Sequence, residues 1–228
     1  MTTATLMKLS DETLEILKNF ASLNSNILVK PGNTIKTVTP VKNVMGMAEV
    51  KETFEQEFGI WDLNKFLGTV SLFEDPSFSF TEKYVTISGG GSSVKYYYCE
   101  PSLLTTVNKE LKVPEMVIDF VLTEEQLSEL MRAASVLGLN DLSVNSDGGT
   151  LNMVVFDKQD PSSNTYTVEL GEVPTSDDFD FHFRVDNLKM LPGDYTVSIS
   201  AKSVSQFEST TRDLTYYVAL ESTSRYEG

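Results

Sequence analysis

The chain carries one amphipathic pattern twice. Residues 9–23 read LSDETLEILKNFASL and residues 122–136 read LTEEQLSELMRAASV. At a constant offset of 113, Leu9 falls on Leu122, Ser10 on Thr123, Leu14 on Leu127, Leu17 on Leu130, Ala21 on Ala134 and Ser22 on Ser135. A repeat of this kind limits the fold to one that accommodates both copies. Each copy opens on a hydroxyl followed by two acids, Ser10-Asp11-Glu12 and Thr123-Glu124-Glu125. A hydroxyl there accepts from amides of the first turn, and Gln126 completes a capping box with Thr123. A second pair, IWDLNKFLG at 60–68 and VDNLKMLPG at 185–193, recurs at offset 125. It predicts a short helical turn in each half, ended by Gly68 and by Pro192-Gly193.

Between these helices the chain reads as strands. LSVN at 142–145, LNMVVF at 151–156, TYTVEL at 165–170 and YTVSIS at 195–200 are β-branched or alternating runs bounded by Gly, Pro, Asn and Asp. Phe179, Phe181 and Phe183 alternate with Asp180, His182 and Arg184, which gives one buried and one wet face. NILVK, TIKTV, YVTIS and SVKYYY play the same part in the first half. The expected fold class is α+β, with two similar domains each placing two helices on antiparallel sheets. Domain one covers residues 1–100 and domain two covers 117–228. Residues 101–116, with Pro101 and Pro114, form an extended connector.

On a helical wheel Asp11, Glu12, Glu15, Lys18, Asn19 and Ser22 lie opposite Leu14, Ile16, Leu17, Phe20, Ala21 and Leu23. Glu125, Ser128, Arg132 and Ser135 likewise oppose Leu127, Leu130, Ala133, Ala134 and Leu137. Acids come early and the base late, and Asp62 before Lys65 and Asp186 before Lys189 repeat the order. Complementing the helix dipole accounts for that order without any ligand.

The net charge is −15 over 228 residues, against the basic balance usual in nucleic-acid binders. No apolar run approaches the roughly 20 residues that span a bilayer, and the first residues do not read as a signal peptide. No membrane association is therefore expected. Cys99 is the single cysteine, which suits a reducing compartment.

Four segments carry a family resemblance. MKLSDETLEILKNFASLNSNILVK from Met7, DLNKFLG at 62–68, NLKMLPGDYTV at 187–197 and YYVALE at 216–221 resemble, in order and spacing, the sliding clamp of T-even-type bacteriophages. The match is weakest near 36–58 and 74–115, and the first six residues read as an extension.

The resemblance implies a DNA clamp fold closed into a homotrimer, with helices lining a hole that threads double-stranded DNA without sequence readout. It implies a non-catalytic processivity factor with no cofactor, acting in the cytoplasm of the infected bacterial host. The implied partners are the phage DNA polymerase, an ATP-driven clamp loader (an ATPase) and late-transcription factors. The DNA-facing residues would be Lys18, Asn19, Lys65, Arg132 and Lys189. The four helix segments hold four bases against eight acids, −4 of the −15 total. The lumen is thus less negative than the rest but not basic, and Ser135 stands where the family pattern leads one to expect a base. Weak, water-mediated backbone contact is the implied mode. Outer acids would be screened from the duplex over a Debye length of about 8 Å.

Ring closure by the family pattern sets Val94–Tyr98 against Tyr166–Leu170, making Tyr96, Tyr97, Tyr98, Tyr166 and Val168 subunit-contact residues. Ordinary strand packing accounts for the same side chains equally well. A partner's hydrophobic peptide would enter between the domains beside Leu103, Leu104 and Val107, with Tyr217, Val218 and Leu220. Core closure is the competing role, and for the strand residues the stronger one.

Catalytic readings find little support. His182, the one histidine, reads as a surface residue rather than a base. Gly89-Gly90-Gly91 lacks a following Lys-Ser/Thr and reads as a hairpin loop. Asp177, Asp178 and Asp180 lack calcium-loop spacing. Two non-clamp classes compete: an acidic protein-binding adaptor or DNA mimic, which the charge favours, and a virion structural protein.

Overall fold

The structure is a computed structural model that describes residues 6–107, 112–175 and 177–227. The chain divides into two compact units, Met1–Glu110 and Leu111–Gly228. The first contains β1 (Leu6–Met7), α1 (Asp11–Leu23), β2 (Ile27–Val29), β3 (Gly32–Val38), β4 (Val44–Phe54), β5 (Phe58–Ile60), α2 (Leu63–Val70), β6 (Ser77–Phe80), β7 (Tyr84–Gly89) and β8 (Ser92–Tyr97). The second contains β9 (Ile118–Leu122), α3 (Glu124–Leu137), β10 (Asp141–Asp147), β11 (Thr150–Phe156), β12 (Tyr166–Glu172) and β13 (Asp178–Arg184). It ends with β14 (Tyr195–Ser200), β15 (Val204–Ser209), β16 (Leu214–Ala219) and β17 (Arg225–Glu227).

The duplication survives as topology. In unit one β1 pairs with β6, β6 with β7 and β7 with β8, all antiparallel. In unit two β9 pairs with β14, β14 with β15 and β15 with β16 in the same way. Each long helix thus follows a first strand that pairs with the third strand from the end of this pattern. β12, β11, β10, β13 and β17 form a second sheet in unit two. β3–β4 and β2–β5 are the matching pairs of unit one.

Local chemistry explains the helix ends. The Thr13 amide donates to the Ser10 hydroxyl, and Thr123 and Gln126 cap each other reciprocally. Gly138 closes α3 in the left-handed region, where a side chain would be strained. Two expected stops fail. α2 runs through Gly68 to Val70, since Gly68 keeps ordinary helical backbone and lowers propensity without breaking the helix. In unit two the expected short helix is a four-residue 3-10 turn, Val185–Leu188. Lys189 already leaves helical backbone, with ψ at 62°, which ends the turn.

Each core lies under its long helix. Ile16, Leu17 and Phe20 of α1 are buried. β4 presents its alternate residues to the interior, and Gly46 is the position that admits the Phe20 ring, since a Cβ there would stand 2.7 Å from Phe20 Cε1. In unit two Leu127, Leu130 and Ala134 of α3 are buried, as are Phe179, Phe181 and Phe183 of β13. The expected inward turn of Leu137 is not seen: it is 38% exposed, beside Val136 at 78%.

Glu52 of β4 is buried and bridges back to α1. It accepts from the Ser10 amide and, at 2.5 Å, from the Thr13 hydroxyl. Burial alone would raise its pKa, but the bonds from Thr13 and Ser10 outweigh it and hold the carboxyl below its ordinary value of 4.5. A lowered folded-state pKa adds stability above pH 4.5 that fades as pH falls through the folded value. Acid titration of thermal unfolding should show that loss, and Glu52→Gln should remove this component of it. Gly46→Ala should cost about 1–3 kcal/mol by overpacking against Phe20, read as a lower denaturant midpoint.

Candidate nucleic-acid interface and subunit edges

Burying one face of α1 and α3 turns the other outward. Lys18, Lys65 and Arg132 are exposed and Asn19 is half-buried. The four expected bases are not equivalent. Lys189 pairs with Asp186 at 3.0 Å in the 3-10 turn, so that site is locally neutral. Arg132 lies with Glu125, Glu129, Ala133, Val136, Leu137 and Tyr166 around an open cavity of about 580 Å3 on α3.

Several acids of these helices are occupied locally. Asp62 caps α2 by accepting from the Lys65 amide at 2.9 Å. Glu12 pairs with Lys51 at 2.9 Å, and Glu129 accepts from the Tyr166 hydroxyl. Donating that hydrogen bond to Glu129 raises the pKa of Tyr166. Glu129–Tyr166 crosses from α3 to β12, a link that sequence reading misses because 37 residues separate the partners.

The two strands expected to meet between copies are both outer strands, β8 of the sheet β1-β6-β7-β8 and β12 of the sheet β12-β11-β10-β13-β17. Tyr97 is 64% exposed. Tyr96 and Tyr98 turn back onto their own unit, Tyr96 packing edge-on to Phe66 and donating to the Asp62 carbonyl at 3.1 Å. Tyr98 stacks on Phe58 with centroids 5.2 Å apart. On β12, Tyr166 is half-buried and Val168 buried.

The expected peptide-docking residues separate. Leu103 is 63% exposed at the end of the 3-10 turn Pro101–Leu103. Leu104 is half-buried against Gly59. Val107 lines a cavity of about 190 Å3 with Leu28, Lys30, Pro31, Thr34, Lys36 and Thr106. Asn24 holds this stretch by donating to the carbonyls of Val38 and Thr105 at 2.8 and 3.1 Å. Val218 and Leu220 offer no such surface. Val218 is fully buried on the face of β16 shared with Leu214 and Tyr216, Leu220 is 8% exposed, and both belong to the core. Tyr217, on the opposite face, is half-buried.

His182 is less exposed than its place on the outer face suggests. Its Nδ1 is 2.7 Å from the Thr223 hydroxyl and its Nε2 is 3.0 Å from Asp180, because the turn before β17 folds over it. Nδ1 thus ties His182 to that turn, while Nε2 ties it to its own strand. Gly90 and Gly91, both at positive φ, form the two-residue turn of the β7–β8 hairpin, as expected. Burial raises the pKa of Cys99, which keeps it a thiol. Among the described residues no group of three or more His, Cys, Asp or Glu could hold a metal, and no helix is long and apolar enough to cross a membrane.

Residues 119–222 match the family described as gp45 sliding clamp, C terminal. The sliding clamp of Enterobacteria phage T4 is 30% identical over 229 residues, covering 97% of this chain and 100% of that protein. The chain belongs to the bacteriophage sliding-clamp family. The fold extends to more distant clamps. The proliferating cellular nuclear antigen of Entamoeba histolytica superposes with a TM-score of 0.71 at 12% identity, covering 96% of this chain and 99% of that one. The Helicobacter pylori beta clamp bound to a DNA ligase peptide gives 0.74 at 11% identity, over 97% of this chain and 67% of that one.

The pairing of Lys189 sets an order among this clamp's bases. Lys189→Ala should reduce polymerase processivity less than Lys18→Ala, Lys65→Ala or Arg132→Ala, measured as product length at fixed salt. An equal or larger loss at Lys189 would contradict the order.

Proposed function

We propose that this clamp is a non-catalytic processivity factor that closes as a homotrimer around duplex DNA and tethers the phage DNA polymerase. A clamp loader ATPase opens and places it, and it also serves late transcription, within the cytoplasm of the infected host. The observation that carries this reading is the full-length match to phage sliding clamps, together with the repeated helices that turn Lys18, Lys65 and Arg132 outward. Contact with DNA is through backbone phosphates and water, without base readout, which suits a sliding function.

Residues 1–100 and 117–228 form the two ring domains, with 101–116 as connector; the division into compact units between Glu110 and Leu111 supports this. Subunits meet through the outer strands carrying Tyr96, Tyr97, Tyr98, Tyr166 and Val168. A partner's short hydrophobic peptide docks beside the connector, at exposed Leu103 and at the Val107 cavity.

The charge of −15 favours a second reading, an acidic adaptor or DNA mimic. The two separate on size and activity. A trimer of this 25.4 kDa chain sediments at about 76 kDa and stimulates its polymerase only with loader and ATP. A mimic is a monomer or dimer and inhibits. Substituting Lys18, Lys65 and Arg132 together by Ala should shorten products without lowering the unfolding midpoint. Unchanged synthesis by that triple variant would overturn the DNA-facing assignment.

A further inference from the structure

We propose that Asn24 and Asn26 are positioning residues for partner docking: together they fasten Thr105 and so fix the connector wall of the cavity that Val107 lines. The inference rests on the docking site proposed above and names what holds that site in shape.

The cavity takes its walls from distant parts of the chain. Leu28, Lys30, Pro31, Thr34 and Lys36 come from β2, β3 and the turn between them, and Thr106 and Val107 come from the connector. Such a cavity keeps its shape only if the connector stays at a fixed spacing from β2 and β3. No sheet supplies that spacing, since residues 104–107 lie in no strand. Side chains supply it instead. The Thr105 carbonyl accepts from Asn24 Nδ2 at 3.1 Å, and the Thr105 amide donates to Asn26 Oδ1 at 3.2 Å. Both backbone groups of one connector residue are thereby satisfied, as a neighbouring strand would satisfy them.

The Asn24 amide can sit only one way. Its Oδ1 accepts from the Asn26 amide at 3.1 Å, while Nδ2 donates to the carbonyls of Val38 and Thr105. An aspartate there would offer an acceptor where two carbonyls need a donor. Asn24 is buried, so a lost bond there has little water to replace it. The same tripeptide receives both helices of unit one. The Asn24 amide donates to the Phe20 carbonyl at the end of α1, and the Leu63 amide at the start of α2 donates to the Ser25 carbonyl at 2.7 Å. The connector is thus referenced to α1 and α2 through residues 24–26. Satisfying a loop would not need two side chains from alternate positions to converge on one residue about 80 positions away.

The test uses the assembled clamp with its cognate polymerase as probe, comparing wild type, Asn26→Ala, Asn26→Asp and Val107→Asp. Asn26 serves Thr105 as an acceptor, so the aspartate keeps that bond and the alanine removes it. Asn26→Ala should speed hydrogen exchange across residues 103–107 and weaken polymerase binding about two- to tenfold, the range expected for one hydrogen bond. Trimer sedimentation and the unfolding midpoint should stay at wild type, and Asn26→Asp should restore both exchange and affinity. Faster exchange with unchanged affinity in Asn26→Ala would overturn the positioning role, and weakened binding by Val107→Asp would show that the docking site itself still stands. Unchanged affinity in Val107→Asp would sink the docking site and this inference with it. A loss in Asn26→Ala that follows a lowered unfolding midpoint, or that Asn26→Asp does not restore, would overturn the inference by making Asn26 a residue of the fold alone.

Discussion

Packing one face of each long helix onto its own sheet decides where this clamp's charges go. Phe20 enters the space left by Gly46, and Leu127, Leu130 and Ala134 close the corresponding core in unit two. Once those faces are buried, Lys18 and Arg132 have nowhere to go but outward. Glu52 strengthens the arrangement in unit one by fixing the start of α1 through Ser10 and Thr13. A strongly acidic chain can therefore expose bases on chosen helices, because the hydrophobic term sets orientation and electrostatics acts on what is left.

The acids on those same helices fit this picture through their local partners. Asp62 is used as a cap, Glu12 by Lys51, Glu129 by Tyr166 and Asp186 by Lys189. Exposed ion pairs add little stability. Their effect here is on the field near the helices, where a paired carboxylate repels a phosphate less than a lone one.

Features set by neighbouring residues were legible in the sequence. The caps at Ser10 and Thr123, the stop at Gly138 and the alternation of Phe179, Phe181 and Phe183 depend on side chains a few positions apart. The duplication was legible for the same reason, and it gives two units with matching strand order. Features set at long range were not. β4 is not legible because Gly46 and Glu52 occupy two of its buried positions, and Glu52 finds its partners about 40 residues away. The second short helix is shorter than its likeness to 60–68 suggests, because Lys189 leaves helical backbone three residues before Pro192. Val218 and Leu220 close the core, the role that strand alternation already favours over docking for them. The sequence showed the bases of the candidate site but not the pairing of Lys189.

A clamp that encloses DNA, as we propose, rather than holding it by affinity must be retained on circular but not on linear DNA. Clamp loaded with loader and ATP onto nicked circular plasmid, then freed of loader and passed through a sizing column in moderate salt, should travel with the circle and leave when the plasmid is cut once. Equal retention before and after cutting would contradict enclosure and point instead to a surface-binding protein.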